Sequence, residues 1–273
     1  MVPEAFVLVA AGGLGAAIGS FLNVCVYRLP RNESLVHPPS ACPRCGTPIA
    51  WYDNVPVFGW LWLGGKCRSC RAPISAQYPL VEALIAALWV ASAWAFGLTW
   101  HAAAAAVFGT LLIGITLTDA RHYIIPHEFT IGGLVLGLAI AAAQGWSQLI
   151  ASAIGAGVGF ALLISIAWAG EKVFRKEAMG GGDIWMMAMV GAFVGWKGVL
   201  LTIFLGALIG TVVFIPLAWL TRHHPHWERT GEVDSGSGMP HVPFGIFLAA
   251  GAAAAFLAGD ALLAWYWGFV LGG

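Results

Sequence analysis

The chain has 273 residues, 59% of them hydrophobic and only 10% charged, with no formal net charge. Few water-soluble domains are so poor in charge, and a neutral chain offers no electrostatic argument for a nucleic-acid partner. A mean hydropathy of +0.82 and fourteen tryptophans indicate an all-α polytopic membrane protein with aromatic belts at the bilayer surface.

A bilayer core takes about 20 apolar residues per helix. The apolar runs predict about eight transmembrane helices, at 5–27, 78–97, 101–118, 129–145, 149–170, 184–196, 199–220 and 243–260. The sixth is short, and its glycine-rich entry suggests a helix that starts inside the protein. The tail from Ala261 to Gly273, with Trp265, Tyr266 and Trp267, reads as interfacial. Of the thirteen basic residues, only Lys197 falls on one side of this topology. By the positive-inside rule the loops 28–77, 119–128, 171–183 and 221–242 are cytoplasmic and the N-terminus lies outside. The first span is too long and glycine-rich for a signal peptide and is expected to be retained.

Span 1 carries Gly12, Gly13, Gly15, Gly19 and Ser20, spaced for close helix packing. Asn23, near its cytoplasmic end, is expected to bond across helices more often than to a ligand. Cys25 is expected to be a buried small apolar residue.

Residues 28–77 form a small soluble insertion holding Cys42-Pro-Arg-Cys45 and Cys67-Arg-Ser-Cys70. Two such knuckles predict a structural zinc ion on four thiolates, the alternative being disulfides or a redox dithiol. A cytoplasmic position argues against stable disulfides, and a piece this small needs a staple. Gly46 and Arg71, which follow the knuckles, suit tight turns around the metal. Asp53-Asn54 and Pro56 read as a turn. Glu82 lies one turn inside span 2. It is either a helix-start carboxylate paired with a nearby arginine or a polar group for a charged cosubstrate.

Span 3 ends in Asp119, followed by a short connection closed by Pro126. Arg121, His122, His127 and Glu128 read as a solvated turn, with His127 also open to a supporting role. Span 6 opens with Met179-Gly180-Gly181-Gly182-Asp183. Bare glycines at 180, 181 and 182 would let an extended peptide run close to the backbone. Asp183 alone reads as a helix-start carboxylate, but Asp119 sits at the same depth on the same side. Two carboxylates brought together in a reduced dielectric do not both ionise readily, so one retains a proton. The charged one takes a proton from water and the neutral one polarises an amide carbonyl. Met186, Met187 and Met189 read as core packing. His223, His224 and His226 read as a solvated loop, with weak metal binding the alternative, 228–240 as a mobile acidic stretch, and Pro243 as a helix start. No internal repeat stands out.

Together these residues resemble type IV prepilin peptidases, the leader peptidase/N-methyltransferases of pilus and type II secretion systems. The likeness runs through Gly19-Ser-Phe-Leu-Asn23 to Arg28-Leu-Pro30, both knuckles, Asp53-Asn-Val-Pro56, Tyr78-Pro-Leu-Val-Glu82, Asp119 with Ile125-Pro126, Gly181-Gly182-Asp183 and Pro243-Phe-Gly245. The resemblance implies an intramembrane aspartyl protease of the GxGD class in the bacterial inner membrane, with Asp119 and Asp183 as its catalytic pair. It would cut the basic leader from the N-terminal segment of a prepilin or pseudopilin after a glycine. It would then methylate the new N-terminus with S-adenosylmethionine. It divides the chain into residues 1–82, the first span with the zinc-binding, methyltransferase-associated region, and 83–273, the peptidase domain. Asn23, Arg28 and Glu82 are the methyl-donor candidates. His127 stands where the family often has Asp, and Trp185 where it often has Lys. The alternatives are a peptidase without methylation and a non-enzymatic transporter using the carboxylates as a proton relay.

Overall fold

The structure is a computed structural model that describes residues 3–175, 179–221 and 244–271. The helices are α1 (Glu4–Arg28), a short α2 (Phe58–Trp62), α3 (Gln77–Phe96), α4 (Trp100–His122), α5 (His127–Gln144), α6 (Trp146–Phe174), α7 (Gly181–Thr221) and α8 (Phe244–Leu271). Seven of them are long and apolar enough to cross a membrane, so the chain is a multi-pass membrane protein. Among the described residues there is no strand, only two isolated bridges, Ala41 with Pro48 and Lys66 with Pro73.

The expected spans 184–196 and 199–220 both lie within α7, which breaks at Gly195, where φ is 68° and ψ 176°. The chain doubles back there. Before the break, Gly159 touches Met187 and Gly155 touches Gly191. After it, Leu201 faces Gly259, Gly206 faces Leu248 and Gly210 faces Phe247, so the second arm runs antiparallel to α8. The left-handed φ is what glycine supplies at low cost.

The expected end of the last span at residue 260 is corrected: α8 continues through Trp265, Tyr266 and Trp267 to Leu271, and those rings are exposed along it. Aromatic residues interrupt the aliphatic run without interrupting the helix. The 223–241 histidine and acidic readings, and Pro243, lie outside the described residues.

The chain divides into two compact units, residues 1–114 and 115–273. In the first, α1 and α3 pack antiparallel through bare glycines. A Cβ on Gly15 would stand 2.8 Å from Trp89 Cβ, and one on Gly19 2.8 Å from Glu82 Cα. Without a hydrophobic drive between helices in lipid, such close approach supplies the packing energy. Trp89 donates from Nε1 to Thr110 Oγ1 at 3.1 Å, joining α3 to the first part of α4.

In the second unit α7 is central, packed on α5, α6 and α8. Met186, Met187 and Met189 are fully buried, the core packing expected of them. Ser152 of α6 donates to the Ala192 carbonyl at 2.7 Å, a bond between helices where water is excluded.

Candidate functional site

Asp119 and Asp183 reach one place from separate helices. Asp119 is the fourth-last residue of α4 and is 5% exposed; Asp183 is the third residue of α7. Both are near helix ends, and neither is mid-helix as a relay through the membrane would require. Ile125 touches both Gly182, the neighbour of Asp183, and Gly245, which touches Asp119, so the two carboxylates share one neighbourhood.

The α4–α5 link sets this geometry. Tyr123 takes a left-handed φ of 53°, Ile125 follows, and Pro126 caps α5. A Cβ on Gly182 would lie 2.8 Å from Ile125 Cβ, and one on Gly245 would lie 2.8 Å from Ile125 Cδ1. Ile125 therefore wedges between the starts of α7 and α8, and both glycines are bare to admit it. Gly181 faces open space and the nearest atom to a Cβ on Gly180 is Asp183 Oδ2 at 3.9 Å. So of the glycines expected to admit a peptide, Gly180 and Gly181 are open, while the space at Gly182 is taken by Ile125.

Asp119 is held by the first turn of α8. The Ile246 N–H donates to Asp119 Oδ2 at 3.1 Å, with the Gly245 backbone also bonding to it. A Cβ on Gly245 would stand 2.8 Å from that oxygen. The first N–H groups of a helix have no partner within it and favour negative charge. Asp183 Oδ1 is buried and has no hydrogen-bond partner. One carboxylate is thus anchored, and the other keeps an oxygen directed at nothing in the protein. Sequence reading noted Pro243-Phe-Gly245 as a motif and missed this contact, because a backbone N–H leaves no residue-type signal.

His127 and Glu128 open α5 and are exposed, as a solvated turn requires. Trp185 packs on Phe160 with ring centroids 5.1 Å apart, so it serves packing. A 310 Å³ groove lies beside this mouth, lined by Ile164, Trp168 and Glu171 of α6 with Met179, Gly181 and Ile184.

In the first unit the four cysteines converge. Their sulfurs all lie within 4.8 Å of one another, with Cys42 to Cys70 at 3.8 Å and Cys45 to Cys67 at 3.9 Å. Four sulfurs each about 2.3 Å from one zinc stand about 3.8 Å apart, the edge of a tetrahedron. The residues present therefore fit a tetrahedral metal ion. None of the five cysteines is bridged. The Thr47 hydroxyl and backbone hold the Cys45 thiol down at about 6, and the Cys70 and Ser69 backbones lower Cys67. At Cys70 the Ala72 backbone pulls downward, but burial and the neighbouring thiols push it up to about 11. Without metal the cluster keeps protons on some sulfurs, which binding would displace.

The two knuckles are copies of one another, twenty-five residues apart. Cys42 N–H bonds Thr47 and Cys67 N–H bonds Ala72; Ile49 N–H bonds Ser40 and Ile74 N–H bonds Gly65. Gly46 and Arg71 both take left-handed φ, 70° and 60°. This corrects the absence of a repeat: Cys-x-x-Cys-x-x-Pro-Ile occurs twice, too short to stand out without the shared bonding. Arg68, inside the second knuckle, forks onto Asp53 through Nε at 2.6 Å and a second nitrogen.

Of the methyl-donor candidates, Arg28 donates to the Ser34 and Pro38 carbonyls at 2.8 and 2.7 Å, tying down the start of the loop. Asn23 donates from Nδ2 to the Tyr78 carbonyl at 3.1 Å, the expected interhelical bond. Among the described residues Glu82 has no arginine partner, the first of its two readings; its Oε2 accepts the Val57 N–H at 2.7 Å. A backbone donor has replaced the cation. Cys25 is buried at 4% exposure.

Residues 14–96 match the Bacterial Peptidase A24 N-terminal domain and residues 106–215 the Type IV leader peptidase family. A prepilin leader peptidase/N-methyltransferase of Myxococcus xanthus is 40% identical over 83% of this chain and 68% of that protein. The namesakes from Aeromonas hydrophila and Pseudomonas aeruginosa are 36% and 37% identical, covering 91% and 97% of this chain and 90% and 94% of theirs. No solved structure matches. With two juxtaposed carboxylates on a polytopic helical frame and these relatives along most of its length, the chain belongs to the type IV leader peptidase family.

Proposed function

We propose that this protein cleaves the basic leader of type IV prepilins or pseudopilins and methylates the N-terminus so exposed. The observation that carries the first half is the pair: Asp119 anchored by Ile246 N–H, and Asp183 beside it with a buried, unpartnered Oδ1. The anchored, charged Asp119 takes the proton from the attacking water. Asp183 holds a proton at its unpartnered oxygen and donates it toward the amide carbonyl. The pair titrates as one unit, and no covalent enzyme intermediate is needed. Gly180 and Gly181 offer bare backbone along which the extended segment after the leader lies. The catalytic face points to the cytoplasm of the inner membrane, where a basic leader is retained by the charge rule that orients this chain.

The second half rests on residues 1–82 and on S-adenosylmethionine, which supplies an electrophilic methyl group when bound. Asn23 and Glu82 are the chain's groups placed to orient it, while Arg28 shapes the adjoining loop. Zinc at Cys42, Cys45, Cys67 and Cys70 keeps this region folded. The test is incubation of the full-length protein in lipid with a prepilin and the methyl donor, followed by mass spectrometry of the product N-terminus. The reading expects a cut after glycine and one added methyl. A cut product without the methyl reduces the function to peptidase alone; an uncut substrate refutes it.

A further inference from the structure

In the α1–α3 seam one buried acceptor has no donor, and a buried carboxylate has no described cation. Asn23 is 4% exposed, and its Nδ2 donates to the Tyr78 carbonyl. A carbonyl only accepts, so that bond fixes which amide atom is nitrogen. The remaining atom, Oδ1, is buried and receives no hydrogen bond. Glu82 is 8% exposed, accepts one hydrogen bond from Val57, and is paired with no described cation. Gly19 abuts Glu82, and Asn23 bonds Tyr78, so the two acceptors occupy successive rungs of one seam. Residues four apart on a helix stand about 5–6 Å apart. Val57 holds a φ of 64°, a region β-branched residues avoid, and this strained turn delivers the N–H that fixes the Glu82 carboxylate.

A water molecule would satisfy Asn23 Oδ1 but leave the Glu82 charge unbalanced. An ammonium group carries three donors and a positive charge, and answers both needs. The geometry points to an ammonium-binding subsite formed by Asn23 Oδ1 and the Glu82 carboxylate. It rests on the methyl-transfer reading, because both partners of that reaction carry an amine: the amino-acid portion of the methyl donor, and the peptide N-terminus freed by cleavage.

The test is equilibrium binding to the full-length, zinc-loaded protein in nanodiscs. One arm titrates S-adenosylmethionine. The other titrates a peptide with the sequence of the processed pilin N-terminus, with a free or an acetylated amine. Asn23→Leu removes the acceptor at constant size. Glu82→Gln removes the charge and keeps an oxygen for Val57. Zinc content and the thermal transition verify folding, and Glu82→Gln carries the test if Asn23→Leu does not fold. Binding of one of the two ligands is expected to weaken tenfold or more in Asn23→Leu and Glu82→Gln. The arm affected tells which amine is held; if it is the peptide's, acetylation mimics the loss. If the wild type methylates while both variants bind both ligands within twofold of it, the subsite is refuted and the oxygen is simply hydrated. If the wild type binds neither ligand, the subsite and the methyl-transfer reading fall together.

Discussion

Gly245→Ala places one methyl group against the anchored carboxylate. The new Cβ would sit 2.8 Å from Asp119 Oδ2, 3.2 Å from its Cγ and 2.8 Å from Ile125 Cδ1. Comfortable contacts between such atoms begin near 3.4 Å, so the start of α8 or the carboxylate must move by about 0.6 Å. The Ile246 N–H bond, now 3.1 Å, then stretches past hydrogen-bonding range. A bond to a charged acceptor contributes about 1.5–3 kcal/mol, which corresponds to roughly 10–150-fold in rate if it is needed in the transition state. Misplacing reacting groups by an ångström has a similar cost, about 100-fold. The assay is leader cleavage by the reconstituted protein, read by mass shift under substrate saturation. Cleavage is expected to slow 10–100-fold in kcat with KM little changed, while the thermal transition and zinc content stay near wild type. Gly157→Ala, where a Cβ meets nothing within 4 Å, is the control and should cleave normally. A folded Gly245→Ala protein that cleaves at the wild-type rate would show that the α8 turn does not position Asp119.

Replacing Cys45 or Cys67 with Ser, or stripping metal with a strong chelator, should remove bound zinc and make residues 32–76 sensitive to protease; retained resistance would argue that the loop folds without metal. Gly19→Leu should drive α1 from α3, because the added atoms begin 2.8 Å from Glu82 Cα, and should lower the midpoint of thermal unfolding by several degrees. Gly195→Val should likewise destabilise the second unit, since a β-branched residue resists a φ of 68°. The Arg68 guanidinium holds Asp53 below its usual 3.8. That tie is therefore fully present above pH 3.8 and fades only as acid titrates Asp53 below it. The extra protease sensitivity of Asp53→Asn over the wild type is expected to be the same at pH 7 and at pH 5.

Much of this molecule is legible in its sequence because lipid leaves the chain few options. Apolar runs locate the spans to within a few residues, and the glycines of α1 announce a close neighbour. Two knuckles of cysteine announce a metal site. What stays hidden depends on backbone groups or on contacts remote in sequence. Nothing in the residue types says that Glu82 finds Val57 N–H instead of an arginine, or that Ile246 N–H holds Asp119. Gly182 looks like a clearing for substrate until Ile125, fifty-seven residues earlier, is seen to fill it. The helical tail of α8 is missed because Trp and Tyr look alike whether they lie along a bilayer surface or stand on a helix.

Asp119→Asn and Asp183→Asn, singly and together, measured for leader cleavage in lipid, test the account most directly. Two acids that work as one unit predict that each single change abolishes cleavage and that the double change costs no more than either. If either single variant cleaves at a substantial fraction of the wild-type rate while folded, the hydrolytic pair is not the engine of this enzyme.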